Sequence, residues 1–310
     1  MGRRLRLLGV LLLLLVVIGA LLIYRVLNAA GNFNTVTAQF AGKCRSVSGV
    51  VGAEDMELDR ATGALFISSQ DRRPYPPADA AMKQGGIYLA SVDRPGAAPR
   101  PLTAELSRTL HPHGISLFAD ALGRKTLAVV NHPGTGDEVI LFDVTGDRAA
   151  GAGSVVLTPR RTVKDPLMHS LNDVVLVSHE AFYATNDHGS ETELGKQLET
   201  WLLLPRADVV YYDGTVARVA ATGFNYANGI NRNADASEIY VAETTGRTLQ
   251  TFRRDQGTGS LAHIHSLIVP MGLDNIDVDA DGALWIAATH ACSISSAMLK
   301  TKENLRPPPW

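Results

Sequence analysis

The stretch that decides the fold runs from His113 to His132 and reads H-G-I-S-L-F-A-D-A-L-G-R-K-T-L-A-V-V-N-H. Two β-rich runs, Ile115 to Phe118 and Thr126 to Val130, flank a polar turn near Leu122 and Gly123. Such runs around a Gly-containing turn read as an antiparallel hairpin. Pairing symmetric about the turn sets His113 opposite His132, at the roughly 5 Å Cβ spacing of cross-strand neighbours. One imidazole can then hold or tune the other, which suits a general base with a positioned partner. Two hairpin-end histidines in a solvated setting would look the same in isolation, so the rest of the chain has to decide.

Outward from this hairpin the same grammar recurs: an apolar strand, a polar turn, a second apolar strand. It is found at Met56-Glu57-Leu58-Asp59 to Ala64-Leu65-Phe66-Ile67-Ser68, at Gly114 to Val130, and at Asn172-Asp173-Val174-Val175 to Ala181-Phe182-Tyr183-Ala184-Thr185. It returns at Asn228-Gly229-Ile230 to Glu238-Ile239-Tyr240-Val241-Ala242 and at Asp274-Asn275-Ile276-Asp277-Val278 to Ala283-Leu284-Trp285-Ile286-Ala287. A spacing of roughly 45 to 60 residues is that of four-stranded units repeated around an axis. The expected architecture is all-β, a β-propeller. Gly86 to Ala90, Glu138 to Asp143 and Asp208 to Tyr212 supply further strands of the units, Asp71 to Ala81 is a surface loop, and Glu191 to Leu204 reads as a short helix, a segment lying over one face or, most simply, a packed loop.

Of 310 residues, 45% are apolar and 19% charged, with a net charge of -2. These values describe a globular chain with no basic face for nucleic acid. Cys44 and Cys292 are the only cysteines, so this is not a disulfide scaffold. Arg3, Arg4 and Arg6 precede an apolar run from Leu7 to Tyr24 closed by Arg25. About 18 apolar residues just span a bilayer, and the positive flank stays cytoplasmic. Residues 1–25 are therefore read as a signal anchor, 26–40 as a linker, 41–292 as the propeller domain and 293–310 as a tail. The chain after the anchor faces the periplasm or the cell exterior; a cleaved signal ending at Asn28-Ala29-Ala30, and a secreted product, is the alternative.

Each phrase starts with polar letters: Glu54-Asp55, His113, Asn172-Asp173, Asn228 and Asp274-Asn275. In a propeller equivalent strand starts converge on the central channel. Oxygen donors from Asp, Glu and Asn fit a hard cation, and six to eight flexible oxygens fit Ca²⁺ better than Mg²⁺. Neighbours on an extended chain point opposite ways, so the doublets are expected to serve two ions along one channel. Asp and Asn also start turns, which is the plainer reading of any one doublet.

At these residues the sequence resembles the paraoxonase and arylesterase family of calcium-dependent lactonases, which are six-bladed propellers. The similar segments are Gly52-Ala53-Glu54-Asp55-Met56-Glu57, Pro112-His113-Gly114-Ile115-Ser116, Val130-Asn131-His132-Pro133, Leu171-Asn172-Asp173-Val174, Tyr183-Ala184-Thr185-Asn186-Asp187-His188, Ala227-Asn228-Gly229-Ile230-Asn231 and Leu273-Asp274-Asn275-Ile276. The resemblance implies that Glu54, Asn172, Asn228, Asp274 and Asn275 hold a catalytic calcium, and that Asp55, Asp173 and the backbone carbonyl of Ile115 hold a structural one. It makes His113 the general base and His132 its partner, with His290 a candidate for the substrate pocket. The implied chemistry is hydrolysis of a lactone or aryl ester, with membrane contact through the N-terminal helix.

The family pairs a cysteine at the position of Cys44 with one near the C-terminus, whereas this chain stops at Trp310 after Pro307-Pro308-Pro309 without a sixth phrase. The sixth blade is therefore expected to be incomplete and the scaffold marginal. A catalytically silent or differently specific calcium-binding propeller that serves as a binding module is the competing function. A gluconolactonase-like or strictosidine-synthase-like hydrolase is a third. No G-x-S-x-G supports a serine hydrolase.

Overall fold

The computed structural model describes residues 2–29, 33, 46–72, 84–146 and 154–289. Cys44, Cys292, His290 and the expected tail lie outside the described residues. A first sheet orders β1 (Ala53–Asp59), β2 (Ala64–Ser69), β3 (Gly86–Ser91) and β4 (Arg100–Pro101). The second orders β5 (Pro112–Ala119), β6 (Lys125–Asn131), β7 (Glu138–Thr145) and β8 (Val156–Val163). The third holds β9 (Leu171–Leu176), β10 (Phe182–Asn186), β11 (Ala207–Tyr212) and β12 (Ala217–Phe224), and the fourth β13 (Ala227–Arg232), β14 (Glu238–Glu243), β15 (Thr248–Arg254) and β16 (Leu261–Ile268). Among the described residues a fifth sheet has two strands, β17 (Gly272–Val278) and β18 (Leu284–Thr289). This is a propeller-like all-β fold, and each phrase read from the sequence forms the first two strands of a blade.

The first strand of each blade packs beside the next: β1 by β5, β5 by β9, β9 by β13 and β13 by β17. Strands β17 and β1 are also linked: Asn275 Nδ2 donates to Glu54 O at 2.9 Å, and at the other end Arg60 Nη2 donates to Val278 O at 2.9 Å. The apolar core lies between blades. Leu127 and Val129 of β6 pack with Phe66 and Ile87 of the first blade, while Ala128 and Val130 pack with Val174 and Phe182 of the third. A strand buried on both faces needs no polar alternation, which is why β6 reads as a continuous apolar run. The axis is left to polar side chains.

Every innermost strand carries a β-bulge at the same place. Glu54 and Asp55 together face Ser68, His113 and Gly114 face Val130, and Asn172 and Asp173 face Thr185. Asn228 and Gly229 face Ala242, and Asp274 and Asn275 face Ala287. A bulge sets two residues against one, re-aims their side chains and leaves a backbone N–H outside the ladder. Where the second bulge residue is aspartate, a hydroxyl opposite takes that N–H: Asp55 N donates to Ser68 Oγ and Asp173 N to Thr185 Oγ1, each at 3.0 Å.

The same bulge changes the central hairpin. Ile115 pairs with Val129 but Pro112 with Asn131, so His113 and His132 are not strand partners as symmetric pairing required. His132 N instead donates to His111 O at 3.2 Å.

A polar latch at the end of each of three second strands fixes the loop that enters the innermost strand. Asn131 Oδ1 accepts His111 N at 2.7 Å while its Nδ2 donates to Glu138 Oε1 at 2.7 Å. Asn186 accepts His169 N and Ser170 N and donates to Asp208 Oδ1; Glu243 accepts Asn225 N and Gln250 Nε2. These bonds satisfy buried backbone groups that the ladder cannot reach, and they set where the bulge begins.

Innermost strands approach closely at two glycines. A Cβ at Gly114 would lie 2.5 Å from Asp173 Cα, and one at Gly229 would lie 2.7 Å from Asn275 Cα. Because backbone rather than a flexible side-chain tip blocks the space, Gly114→Ala is expected to cost about 3 kcal/mol, the upper end of ordinary overpacking. A thermal melt in calcium reads this as a lower midpoint, and an unchanged midpoint contradicts the close approach.

Helix α1 (Gly2–Ala29) continues past Arg25, so it outlasts the expected anchor by four residues. The stretch Arg6–Ala29 is long and apolar enough to cross a membrane, and Leu7, Leu8 and Leu11 to Leu15 are exposed. Helix α2 (Glu193–Leu202) falls within the segment that the sequence leaves open as a short helix, a segment over one face or a packed loop, and the helix is what forms; Thr192 Oγ1 caps it by accepting Gly195 N at 3.2 Å, and Leu203 ends it in the left-handed region.

Candidate active site and metal centre

Four side-chain oxygens at the first ends of the innermost strands are buried and accept no hydrogen bond: Glu54 Oε2, Asn172 Oδ1, Asn228 Oδ1 and Asn275 Oδ1. Each belongs to the set expected to hold the catalytic calcium. An unsatisfied buried acceptor costs about 1–3 kcal/mol, so four gathered at one end of a channel call for a shared partner. The amide nitrogens of Asn228 and Asn275 are committed elsewhere and hold those oxygens in place: Asn228 Nδ2 donates to Thr244 Oγ1 at 2.9 Å and Asn275 Nδ2 to Glu54 O. Asp274, the fifth member, shares the β17 bulge with Asn275. Only hard oxygen donors are offered, and the residues therefore fit Ca²⁺. Among the described residues no group of three or more His, Cys, Asp or Glu side chains has metal-site geometry, because amides make up most of this set.

The two carboxylates of the set titrate in opposite directions. Burial pushes Asp274 up, and the charge of Glu54 adds to it. Burial also works to raise Glu54, but the charge and hydrogen bond of His113, with smaller help from Arg72 and Asn275, bring it below the ordinary range. Arg72 reaches this end by donating from Nη2 to Pro112 O at 3.1 Å.

His113 Nε2 lies 3.2 Å from Glu54 Oε1. On the other side of the ring, His113 Nδ1 meets His132 Nε2 at 3.0 Å, with the ring centroids 5.2 Å apart and the planes at 66°. The two rings therefore meet although the residues are not strand partners. His132 Nδ1 meets Asp137 Oδ1 at 2.8 Å, and Asp137 Oδ2 accepts Leu171 N of the next blade at 2.8 Å. Burial opposes ionisation of Asp137, but the His132 hydrogen bond and charge outweigh it and hold its carboxyl below the ordinary range.

Deeper in the channel Asp55 and Asp173 form a second pair. Asp55 accepts Met56 N at 2.8 Å and Ile115 N at 2.7 Å; Asp173 accepts Val174 N at 2.7 Å and Ile230 N at 2.8 Å. Each carboxylate thus pins the next blade's strand. Burial pushes both well above the ordinary range, and for Asp55 the charges of Asp173 and Glu54 add to it. Of Ile115 the backbone N–H is engaged here, with Asp55; the expectation for Ile115 concerned its carbonyl. Further along, Glu57 is pushed up to about 8 by burial, beside a cavity of about 340 Å³ that it lines with Arg232 and Asp277.

The bulges thus divide the expected ligands into an outer group with free oxygens and an inner carboxylate pair. Sequence reading missed Asp137 and Arg72. Asp137 stands five residues after His132 in a Gly-rich turn, and nothing in the spacing shows that the turn folds back onto the imidazole. Asp187 and His188, quoted only as part of a similar segment, form their own cluster: His188 Nδ1 meets Asp187 Oδ1 at 2.7 Å, and its Nε2 meets Thr200 Oγ1 of α2 at 3.0 Å.

The arylesterase family profile matches residues 33–308. The chain belongs to the arylesterase family. Serum paraoxonase/arylesterase 2 of Bos taurus is 32% identical over 253 residues, spanning 80% of this chain and 69% of its own. Serum paraoxonase/arylesterase 1 of Homo sapiens is 33% identical over 253 residues, spanning 78% of this arylesterase-family chain and 68% of its own. A solved structure titled regucalcin, a calcium-binding protein of Agrobacterium tumefaciens, matches with a TM-score of 0.47 and 15% identity over 78% of this chain and 68% of its own.

Proposed function

We propose that this arylesterase-family chain hydrolyses lactones and aryl esters in a calcium-dependent reaction. The observation that carries the reading is the set of buried, donor-free oxygens on Glu54, Asn172, Asn228 and Asn275, joined through Glu54 to the His113–His132 pair. With Asp274 these residues would hold one Ca²⁺, and Asp55, Asp173 and the Ile115 carbonyl a second. Calcium bound at the outer set supplies Lewis acidity toward a substrate carbonyl oxygen.

The chain's own residues account for the proton transfers. His113 Nε2 takes a proton from a water as its oxygen attacks the carbonyl carbon. His132 holds the His113 ring from behind at Nδ1 and shares the charge that arrives. When the acyl C–O bond breaks, His113 returns the proton to the leaving oxygen, and the products are an acid and an alcohol, or one hydroxy acid from a lactone. The five innermost strands carry these groups on bulges tied to rigid sheets, which keeps them in register.

The same reading takes the ring as six-bladed, with α1 anchoring it to a membrane and the propeller outside the cytoplasm, or exporting it if α1 is cleaved. The test uses the full chain in detergent, with δ-valerolactone and phenyl acetate as substrates, in calcium and after metal removal. His113→Gln is expected to lower kcat on the lactone about 10²- to 10³-fold while calcium binding persists. A folded, calcium-binding chain without turnover would favour the binding-module reading.

A further inference from the structure

We infer that Arg232 is a fixed cationic plug at the far end of the channel, which shuts that end to calcium and leaves the outer end as the route by which the inner ion comes and goes. The cavity of about 340 Å³ is lined from all five innermost strands, by Glu57 of β1, Ser116 of β5, Val175 of β9, Arg232 of β13 and Asp277 of β17. A cavity bounded by every innermost strand lies on the axis. Glu57 is close enough to Asp55 and Asp173 for its charge to act on both, so the cavity adjoins the inner pair on the side away from the outer set.

Arg232 straddles this end. Its backbone belongs to the fourth blade, its Nε donates to Leu176 O of the third at 2.7 Å, and its guanidinium carbon stands 5.7 Å from the centre of the Phe118 ring of the second. Nη1 donates to Asn233 O and to Ala234 O, each at 3.1 Å. Three carbonyls and a ring face thus hold the side chain in one place, and none of them carries a charge that cancels its own. Arg60, at the rim, differs: its Nη2 meets Asp277 Oδ2 at 3.4 Å. A guanidinium does not lose its proton in a protein, so the charge at this end is permanent. A divalent cation leaving this way must pass it, against a repulsion that a partly buried setting screens poorly. At the outer end Arg72 is exposed and has one hydrogen bond, to Pro112 O, while the channel there is lined by the free oxygens of Glu54, Asn172, Asn228 and Asn275. One end offers ligands and the other a fixed cation.

The inference rests on the reading that Asp55 and Asp173 hold an inner ion, and its tests follow the ions rather than turnover. Full chain in detergent is loaded with ⁴⁵Ca²⁺, and calorimetry is expected to count two ions per chain. Unlabelled calcium is then added without chelator. With the far end plugged the ions stand in single file, so inner label leaves only while the outer set is empty. Its escape is expected to slow about tenfold as unlabelled calcium rises to about ten times the outer dissociation constant, by mass action. In Arg232→Met, which keeps a long side chain beside Phe118, inner release is expected to be about tenfold faster and indifferent to outside calcium. Equilibrium affinity is expected to hold or tighten, because a positive charge near the ion has gone; a variant that merely loosened the channel would weaken it. Arg232→Lys keeps the charge and is expected to keep the slow, calcium-sensitive escape. Wild-type escape that ignores outside calcium overturns the inference without any variant. So does Arg232→Met with unaltered release, or with faster release and weakened affinity. One ion per chain would sink the inner site and the plug with it. Two ions, single-file escape and no hydrolysis of either substrate would sink the lactonase reading and leave the plug standing.

Discussion

Asp274→Ala is expected to abolish calcium-dependent hydrolysis, lowering kcat/KM by at least about 10³-fold, because it halves the negative charge of the outer site. Glu54 and Asp274 are the only carboxylates among its five donors; the other three are amides whose oxygens contribute dipoles. Calcium affinity in oxygen sites is tuned over several orders of magnitude by ligand charge and rigidity, so losing one of two charges weakens binding by about 10²-fold or more. Any ion retained would be held off-centre toward Glu54, away from the blade that carries Asn275. Asp274→Asn separates charge from geometry: it keeps an oxygen at the same bulge position, and excess calcium is expected to restore part of its activity. The measurements are calcium calorimetry and lactone kinetics on the full chain. Wild-type affinity in Asp274→Ala would remove Asp274 from the site and leave its upward-shifted carboxyl without a function.

Much of the fold could be read from the letters because each blade repeats one local instruction. The apolar run of β6, Leu127 to Val130, is buried on both faces, and composition alone shows that. The positions of Glu54, Asn172, Asn228 and Asp274 were legible because a propeller turns equivalent sequence positions into neighbours. What the letters hid was the mechanism of convergence. Strict alternation sends Glu54 and Asp55 to opposite sides, whereas the bulge opposite Ser68 re-aims both and frees an N–H for the Ser68 hydroxyl. A bulge depends on the partner strand's register, a non-local property, so the hairpin alone predicted symmetric pairing of His113 with His132 and missed by two residues, His132 standing beside His111. Asp137 was hidden for a related reason: its contact with His132 spans five residues, but its contact with Leu171 crosses to another blade.

The chain stripped of metal is expected to lose stability as pH rises from 5 to 8, and calcium to reverse that trend. Asp55 and Asp173 are pushed up by burial, with like charge adding to it, and Glu57 by burial to about 8. For an acid whose folded pKa exceeds its unfolded value, the folded state binds more protons. Its contribution is fully present below the unfolded pKa, near 4, and is lost as pH rises through the folded pKa. For Glu57 that window runs from 4.5 to about 8. Glu54, held low, is ionised in both states from pH 5 upward and adds a nearly constant amount. A tenfold difference in proton affinity between the folded and unfolded states is worth about 1.4 kcal/mol before screening, so even a fraction of the combined effect lowers the melting temperature of the stripped chain by on the order of 10 °C between pH 5 and 8. The proposed inner calcium would need Asp55 and Asp173 in their ionised forms, so its binding would release protons and its stabilisation would grow over the same range. Thermal melts of dialysed protein with and without calcium at pH 5, 6.5 and 8 read both slopes. A stripped chain as stable at pH 8 as at pH 5 would mean that the inner carboxylates are already neutralised by the protein itself. The second calcium site would then have no electrostatic reason to exist, because a cation there would relieve no repulsion.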